Sequence, residues 1–311
     1  MNIKECAAWL NEHDDILILT HVRPDGDTLG GAAALCSALR RTGKNAALFN
    51  NPDITPKYFK YVKDFVSDNF DFACTLAVDV AEAHMLPTGF TGTVDVCIDH
   101  HPSNSHYAEK LLLDGSKVSC GEIVLEVIKA LCGDVTAHGG DVRRQLRRLR
   151  DDCGCFRYAN VTSETFAAAS EILQYGAEVQ KLNFDLFRQV SRARMTLEGS
   201  ILSGLKYFFD GKVVAATVTR KMMSDAGATE NDCDDIAGIP GKVEGCVVSL
   251  VIREMGDKKC KVSVRSQKVF DSSALCARFG GGGHKMASGC TIEASPEKTL
   301  DMLISAIVEV L

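Results

Sequence analysis

A parallel sheet wrapped on both faces by helices, followed by a smaller mixed α/β domain, is the fold class this sequence predicts. Three observations predict it. From Met1 to about residue 185, short apolar runs alternate with helix-like segments, as they do where strands and helices take turns around a parallel sheet. Several of those runs end in aspartate or histidine, at the strand tips where open α/β sheets place their ligands. Beyond about residue 208 the pattern changes to strand-like runs joined by a tight turn. The expected division is residues 1–185, a helical connector 186–208, and a second domain 209–311, with the active site in the cleft between domains.

The first strand is Ile16-Leu17-Ile18-Leu19-Thr20, which leads into His21-Val22-Arg23-Pro24-Asp25-Gly26-Asp27. Pro24 and Gly26 mark a turn, and the stretch from Leu29 to Arg41 reads as a helix stopped by Gly43. Ala73 to Val78 is a second strand ending in Asp79; Val94 to Ile98 is a third, closed by Asp99-His100-His101. Helices follow at Gly121–Leu131, stopped by Gly133, and at Ser163–Tyr175, between Ser163 as N-cap and Gly176 as C-cap. About Val179 to Leu205 reads as one connecting helix. Then come strands Val213–Thr219, Val247–Glu254 and Cys260–Arg265, the last two paired through Gly256-Asp257-Lys258-Lys259. Ser295 and Pro296 start a closing helix to Val310.

Composition narrows the class of protein. With 311 residues and 46% hydrophobic content, the chain can bury two cores. It lacks an apolar run long enough to cross a bilayer, and its first residues lack the basic and apolar segments of a secretory signal. A cytoplasmic location without membrane attachment is expected. Thirteen cysteines are scattered and odd in number, mostly inside apolar runs such as those of Cys74, Cys97 and Cys246, so they read as small buried hydrophobes rather than a disulfide framework. The net charge of -6 argues against a protein that tracks a long nucleic-acid backbone. A small anionic substrate stays compatible, provided metal ions supply the local positive charge. So does pairing of two copies into a homodimer.

Asp99-His100-His101 taken alone is either a metal-binding tip or a solvated turn. With His21, Asp25, Asp27, Asp79 and Asp152 it forms a set of carboxylates and imidazoles that needs no thiolate. Such a set suits two borderline-to-hard divalent ions better than a structural zinc. Two ions about 3.5–4 Å apart polarise a phosphoryl group and lower the pKa of a bridging water. Six ligands hold such a pair if one carboxylate bridges, and Asp79, placed between the others, is the candidate bridge. Gly280-Gly281-Gly282-Gly283-His284 is either a flexible loop or a stretch whose unhindered amides approach phosphate closely. Arg265 is either a solvated strand-end charge or a two-pronged anion partner. His13, His84, His106 and His138 have no partner pattern and fall to surface or loops.

His21-x-x-x-Asp25-x-Asp27, Asp79, Asp99-His100-His101 and Asp152, in that order, resemble the four motifs of the DHH phosphoesterase superfamily. Gly280 to His284 with Ala287-Ser288-Gly289 resembles the glycine-rich motif of the DHH-associated substrate domain, and together the two cover nearly the whole chain. The oligoribonuclease and 3′-phosphoadenosine-5′-phosphate phosphatase branch is the most similar, and Phe156-Arg157-Tyr158-x-Asn160 also matches it. The resemblance implies a metal-dependent phosphoesterase with two Mn2+ per chain, Mg2+ or Co2+ being substitutes. It implies that His21, Asp25 and Asp79 hold one ion, and Asp27, Asp79, His100 and Asp152 the other. His101 then faces the substrate phosphate, and either His101 or a metal-bound water assists the leaving oxygen, while Asp99 orients an imidazole. Gly281, Gly282, Gly283 and His284 recognise the nucleotide end, with Arg265 on its phosphate. The implied substrates are short RNA and nucleotides, with no long duplex.

One segment departs from the family pattern. Residues 141–150 carry five arginines, and Val142, Leu146 and Leu149 have helical spacing where an apolar approach to Asp152 is expected. A local rearrangement, a basic surface helix for longer substrates and a shifted reading frame all account for it. Its consequence is specific: Asp152 is the ligand it would displace. A cyclic-di-AMP or pApA phosphodiesterase of the same superfamily and a non-catalytic nucleotide-binding regulator are the alternative functions.

Overall fold

Helices and strands alternate from the N-terminus in a computed structural model, which describes residues 1–133, 156, 161–174, 179–256, 258–267 and 269–308. Asp152, the arginine-rich segment, and Arg157, Tyr158 and Asn160 lie outside the described residues. The chain forms two compact units, Met1–Gln189 and Val190–Leu311. None of the helices among the described residues is long and apolar enough to cross a membrane.

The first unit is built on six parallel strands, β1 (Ile16–Leu19), β2 (Ala46–Phe49), β3 (Val66–Ser67), β4 (Cys74–Val78), β5 (Val96–Asp99) and β6 (Lys110–Leu113), in the order β3-β2-β1-β4-β5-β6. The winding reverses between β1 and β4, which opens a crevice at their C-terminal ends. Successive side chains take opposite faces, so β1 is apolar throughout because both its faces are covered. Ile16 and Ile18 pack under helices α1 (Ile3–Glu12), α2 (Gly26–Arg41), α3 (Pro56–Val62) and α4 (Cys120–Cys132). Leu17 and Leu19 pack with Ala77 and Cys97 against Phe70, Met85, Phe90 and Tyr107. Helix α5 spans Ser163–Gln174.

Small residues decide where α2 sits. Its run Gly30-Gly31-Ala32-Ala33-Ala34 is fully buried, and a Cβ on Gly31 would come within 3.2 Å of Val78. Glycines that weaken an isolated helix therefore let this one lie close on β4. Asp25 caps it, its Oδ1 accepting from the amides of Asp27 (3.0 Å) and Thr28 (3.2 Å), and the Thr28 hydroxyl donates 2.7 Å to the Val78 carbonyl. The first turn of α2 is thus fastened to the tip of β4.

The expected single connecting helix is instead two. A short helix, α6 (Val179–Asn183), runs into one π-type turn, Phe184–Arg188; Gln189 is extended, and α7 (Arg192–Ser203) starts afresh. The break has a local cause: the Ser191 hydroxyl accepts the Arg194 amide at 2.8 Å and caps α7, an arrangement that excludes helical backbone at Ser191 itself.

The second unit carries β7 (Lys206–Phe208), β8 (Val213–Val218), β9 (Val248–Gly256), β10 (Lys259–Ser266), β11 (Gly282–His284) and β12 (Ala287–Ile292), in the order β11-β12-β10-β9-β8-β7. Only the β8–β9 pair is parallel. One face, with Leu250, Val262, Val264, Cys290 and Ile292, is covered by α9 (Ser272–Ala277) and α10 (Pro296–Val308). On the opposite face, Val251, Ala216 and Val218 lie under α7 and α8 (Arg220–Ala226), through Leu197, Ile201 and Met222. Ser295 accepts the Lys298 amide at 3.3 Å, giving α10 the expected start.

Candidate functional site

In the first unit, three strand ends and the α2 cap bring the motif residues together. His21 follows β1 by two residues, Asp79 follows β4 directly, and His100 and His101 follow β5. His21 Nε2 lies 3.7 Å from Asp25 Oδ1 and 3.9 Å from Asp79 Oδ2; His100 Nε2 lies 3.5 Å from Asp79 Oδ1. These separations exceed hydrogen bonds. Ligands of one ion at about 2.0–2.2 Å sit roughly 3–4 Å from each other, so the spacing is that of ligands around ions. Among the described residues two groups could hold a metal, His21-Asp25-Asp79 and Asp79-His100-His101. Asp79 belongs to both.

The imidazoles are already in the ligating tautomer. His21 Nδ1 meets the Val22 carbonyl at 2.8 Å and His100 Nδ1 meets the Lys117 carbonyl at 3.2 Å. A carbonyl only accepts, so each Nδ1 carries the proton and each Nε2 turns its lone pair toward Asp79. Asp79 is buried and adopts φ +63°, a left-handed backbone unusual outside glycine. Such a residue costs on the order of 1–3 kcal/mol and persists where its surroundings fix it. Here its amide donates 2.8 Å to the Ile98 carbonyl, continuing the β4–β5 ladder.

His101 is bound differently. Its Nδ1 lies 2.7 Å from Asp99 Oδ1 and 3.5 Å from Asp79 Oδ1, so the Nδ1–H donates to the nearer carboxylate and Nε2 remains for other work. Burial works to raise the Asp99 carboxyl, yet its bonds to His101 and Asn104 outweigh it and hold the group below the usual carboxylate range. At Asp25, burial is likewise outweighed, by His21 and the Thr28 and Asp27 amides. Asp27 is fully buried, and its carboxylate accepts the Cys120 amide at 2.7 Å and the Gly121 amide at 3.1 Å, holding the N-terminus of α4 against α2. It falls in neither of the two groups. Cys120, a neighbouring thiol, is no competing ligand: burial, then Asp79, Asp27 and Asp99, push it well above its ordinary pKa. The donor set of the two groups is nitrogen and oxygen only, which fits a borderline-to-hard divalent ion.

In the second unit the glycine run is ordered backbone. Gly281 donates to the Cys276 carbonyl (2.9 Å) as α9 ends, and Gly282–His284 pair antiparallel with β12. A Cβ on Gly281 would fall 2.3 Å from the Gly289 carbonyl oxygen, and Gly283 has φ +137°, so both positions require glycine. Register then makes a surface. His284, Ala287 and Arg265 are paired across β11, β12 and β10, and Gly282, Gly289 and Ser263 form the next row on the same face. Arg265 and His284 stand exposed, two strand spacings or about 10 Å apart, over a floor with almost no side chains. Backbone and flanking donors of this kind accommodate a flat or anionic group.

Sequence reasoning missed Asn51, Asn104, Thr28 and Cys120, all buried against this centre. Asn51 Nδ2 donates to the Thr20 hydroxyl (3.1 Å) and the His21 carbonyl (2.9 Å). In the sequence, Asn51 and Asn104 sit in polar stretches that read as turns, with no signal of their inward direction.

Comparison with known proteins adds to this geometry. Residues 15–147 match the DHH family, N-terminal domain, and residues 210–311 match the DHHA1 domain. The chain is 34% identical to a bifunctional oligoribonuclease and PAP phosphatase NrnA from Thermus thermophilus, over 89% of this chain and 84% of that protein. It is 24% identical to the Bacillus subtilis protein of the same name, over 93% and 92%. In fold it is similar to an exopolyphosphatase-related protein from Bacteroides fragilis, with a TM-score of 0.88 at 22% identity over 99% of this chain and 95% of that one. The two matched domains and the Thermus relative establish that the chain belongs to the DHH phosphoesterase superfamily.

Proposed function

We propose that this enzyme hydrolyses short oligoribonucleotides and 3′-phosphoadenosine 5′-phosphate with a pair of Mn2+ ions. The observation that carries the reading is Asp79, buried between the Nε2 atoms of His21 and His100 and shared by both ligand groups. His21, Asp25 and Asp79 would hold one ion; Asp27, Asp79, His100 and Asp152 the other. When bound, the ions neutralise charge on the phosphoryl group and lower the pKa of the attacking water. The residues of the chain do the rest. Asp99 holds the His101 Nδ1 proton in place, which leaves Nε2 as the working nitrogen: an acceptor in the neutral ring and, once the ring is protonated, the donor of a proton to the leaving oxygen. Arg265 grips a substrate phosphate with two parallel donors, and the glycine floor beside His284 admits the base or ribose.

What supports the short-substrate reading is the net charge of -6, which argues against a protein that tracks a long nucleic-acid backbone. A reducing cytoplasm fits the free cysteines at every described position. A manganese-supplemented assay over 3′-phosphoadenosine 5′-phosphate, pApA, a five-residue RNA, long single-stranded DNA and pyrophosphate tests the reading. Preference for the first three is expected. Preference for pyrophosphate or long DNA overturns it.

A further inference from the structure

We infer that Asn104 is a positioning residue for His101, acting through Asp99. The inference rests on the reading above, in which His101 works at the substrate. Asp99 is fully buried, and its Oδ1 accepts the His100 amide (2.8 Å), the His101 amide (3.2 Å) and His101 Nδ1 (2.7 Å). Its Oδ2 accepts Asn104 Nδ2 at 2.6 Å. One side-chain amide therefore fixes the far oxygen of the carboxylate that fixes the histidine.

The orientation of that amide follows from its partners. Asn104 Oδ1 accepts the His106 amide at 2.8 Å, so the opposite end is the NH2 group and donates. That group also reaches the Val80 carbonyl at 3.3 Å, one residue beyond Asp79, and the Asn104 amide donates 3.0 Å to the His101 carbonyl, closing the turn after β5. Asn104 thus touches the strand ends that carry both Asp79 and His101. It is buried, so water does not replace it readily. Without its donor, one oxygen of a fully buried carboxylate loses its partner, the carboxylate is free to rotate, and the His101 ring loses the reason to keep its proton on Nδ1.

The histidine ring reports this directly. In the Mg2+-loaded protein, at a pH where the ring is neutral, nitrogen-15 NMR of His101, assigned by difference with His101→Gln, should show the proton on Nδ1. Asn104→Leu and the milder Asn104→Ser should shift it toward Nε2 while two Mn2+ per chain are still retained by the metal assay. Turnover should fall by about 10- to 100-fold, and in a His101→Ala background Asn104→Ser should add almost nothing further. A wild-type ring with its proton on Nε2 overturns the inference even if neither variant folds. So does an unchanged tautomer in a folded variant, additive losses in the double variant, or loss of a metal ion. If the wild-type protein hydrolyses no nucleotide, the functional reading fails, and the ring measurement still decides the role of Asn104.

Discussion

The candidate metal centre of the first unit and the glycine floor of the second achieve order by opposite means. At the centre every group is fixed by something else: carbonyls hold His21 and His100, a strained backbone aims Asp79, and α4 is clamped to Asp27. At the floor, order comes from removing side chains so that β11 and β12 approach closely, leaving Arg265 and His284 as exposed flanks. The difference teaches a division of labour. A group that must hold charge at fixed distances is built into a buried network, whereas the glycine surface, proposed above to take the nucleotide, is defined by what is absent.

The largest effect expected from this division is at Asp79. Asp79→Ala should lower the metal content from two ions to fewer than one per chain and reduce turnover by several orders of magnitude, since it removes a ligand from both groups. Elemental analysis beside the phosphate-release assay checks it. Full activity would remove the shared-carboxylate reading and with it the contrast between the two regions.

Arg265 should behave in the other way. Arg265→Ala is expected to raise KM for 3′-phosphoadenosine 5′-phosphate by about 10- to 100-fold, the loss of roughly 1.5–3 kcal/mol of charged hydrogen bonding, with metal content unchanged. Arg265→Lys should recover only part of this, because an ammonium cannot form the two-pronged contact. A fall in kcat with KM constant would place Arg265 in the chemistry instead and blur the comparison.

How much of this was legible depends on what kind of signal each residue leaves. The strands ending at Leu19, Val78 and Asp99 lie in mostly apolar runs, and their polar tips follow from that pattern. The capping box Asn2-x-x-Glu5 of α1 went unread in the sequence, although both of its bonds form. The break at Ser191 was not legible, because one side-chain cap competed with a long helical periodicity. Gly282–His284 read as loop because glycine carries no pattern at all; its strand character exists only in pairing with residues 287–289. Asn104 is invisible for a related reason, since its polar neighbours say turn and only the fold turns it inward.

A smaller effect, in stability, sharpens the cost of the centre. Asp79→Gly removes the left-handed strain at φ +63° and one buried carboxylate, so the metal-free variant should be more stable than metal-free wild type by about 1 kcal/mol or more while losing activity. Thermal melts of both in chelator, expected to differ by roughly 2–4 °C, check the sign. The same exchange has no counterpart at the floor: Gly281→Ala drives a methyl against the Gly289 carbonyl and should only destabilise.

The smallest effect is chemical and compares the thiols beneath each region. Cys120 under the centre is fully buried, and burial and three carboxylates push its thiol up, so the reactive thiolate is suppressed. Cys290 lies under Gly281 and is held below the ordinary thiol range by a hydrogen bond from Cys276 that outweighs its burial. Both are inaccessible enough for slow reaction, yet the order is set by thiolate fraction and access together. Iodoacetamide at mildly alkaline pH should therefore modify Cys290 before Cys120, as read by peptide mass mapping over time. Equal rates would mean that water and reagent reach Cys120 in the first unit as freely as they reach the helix-covered side of the second sheet, and the buried network would no longer explain how its side chains are held.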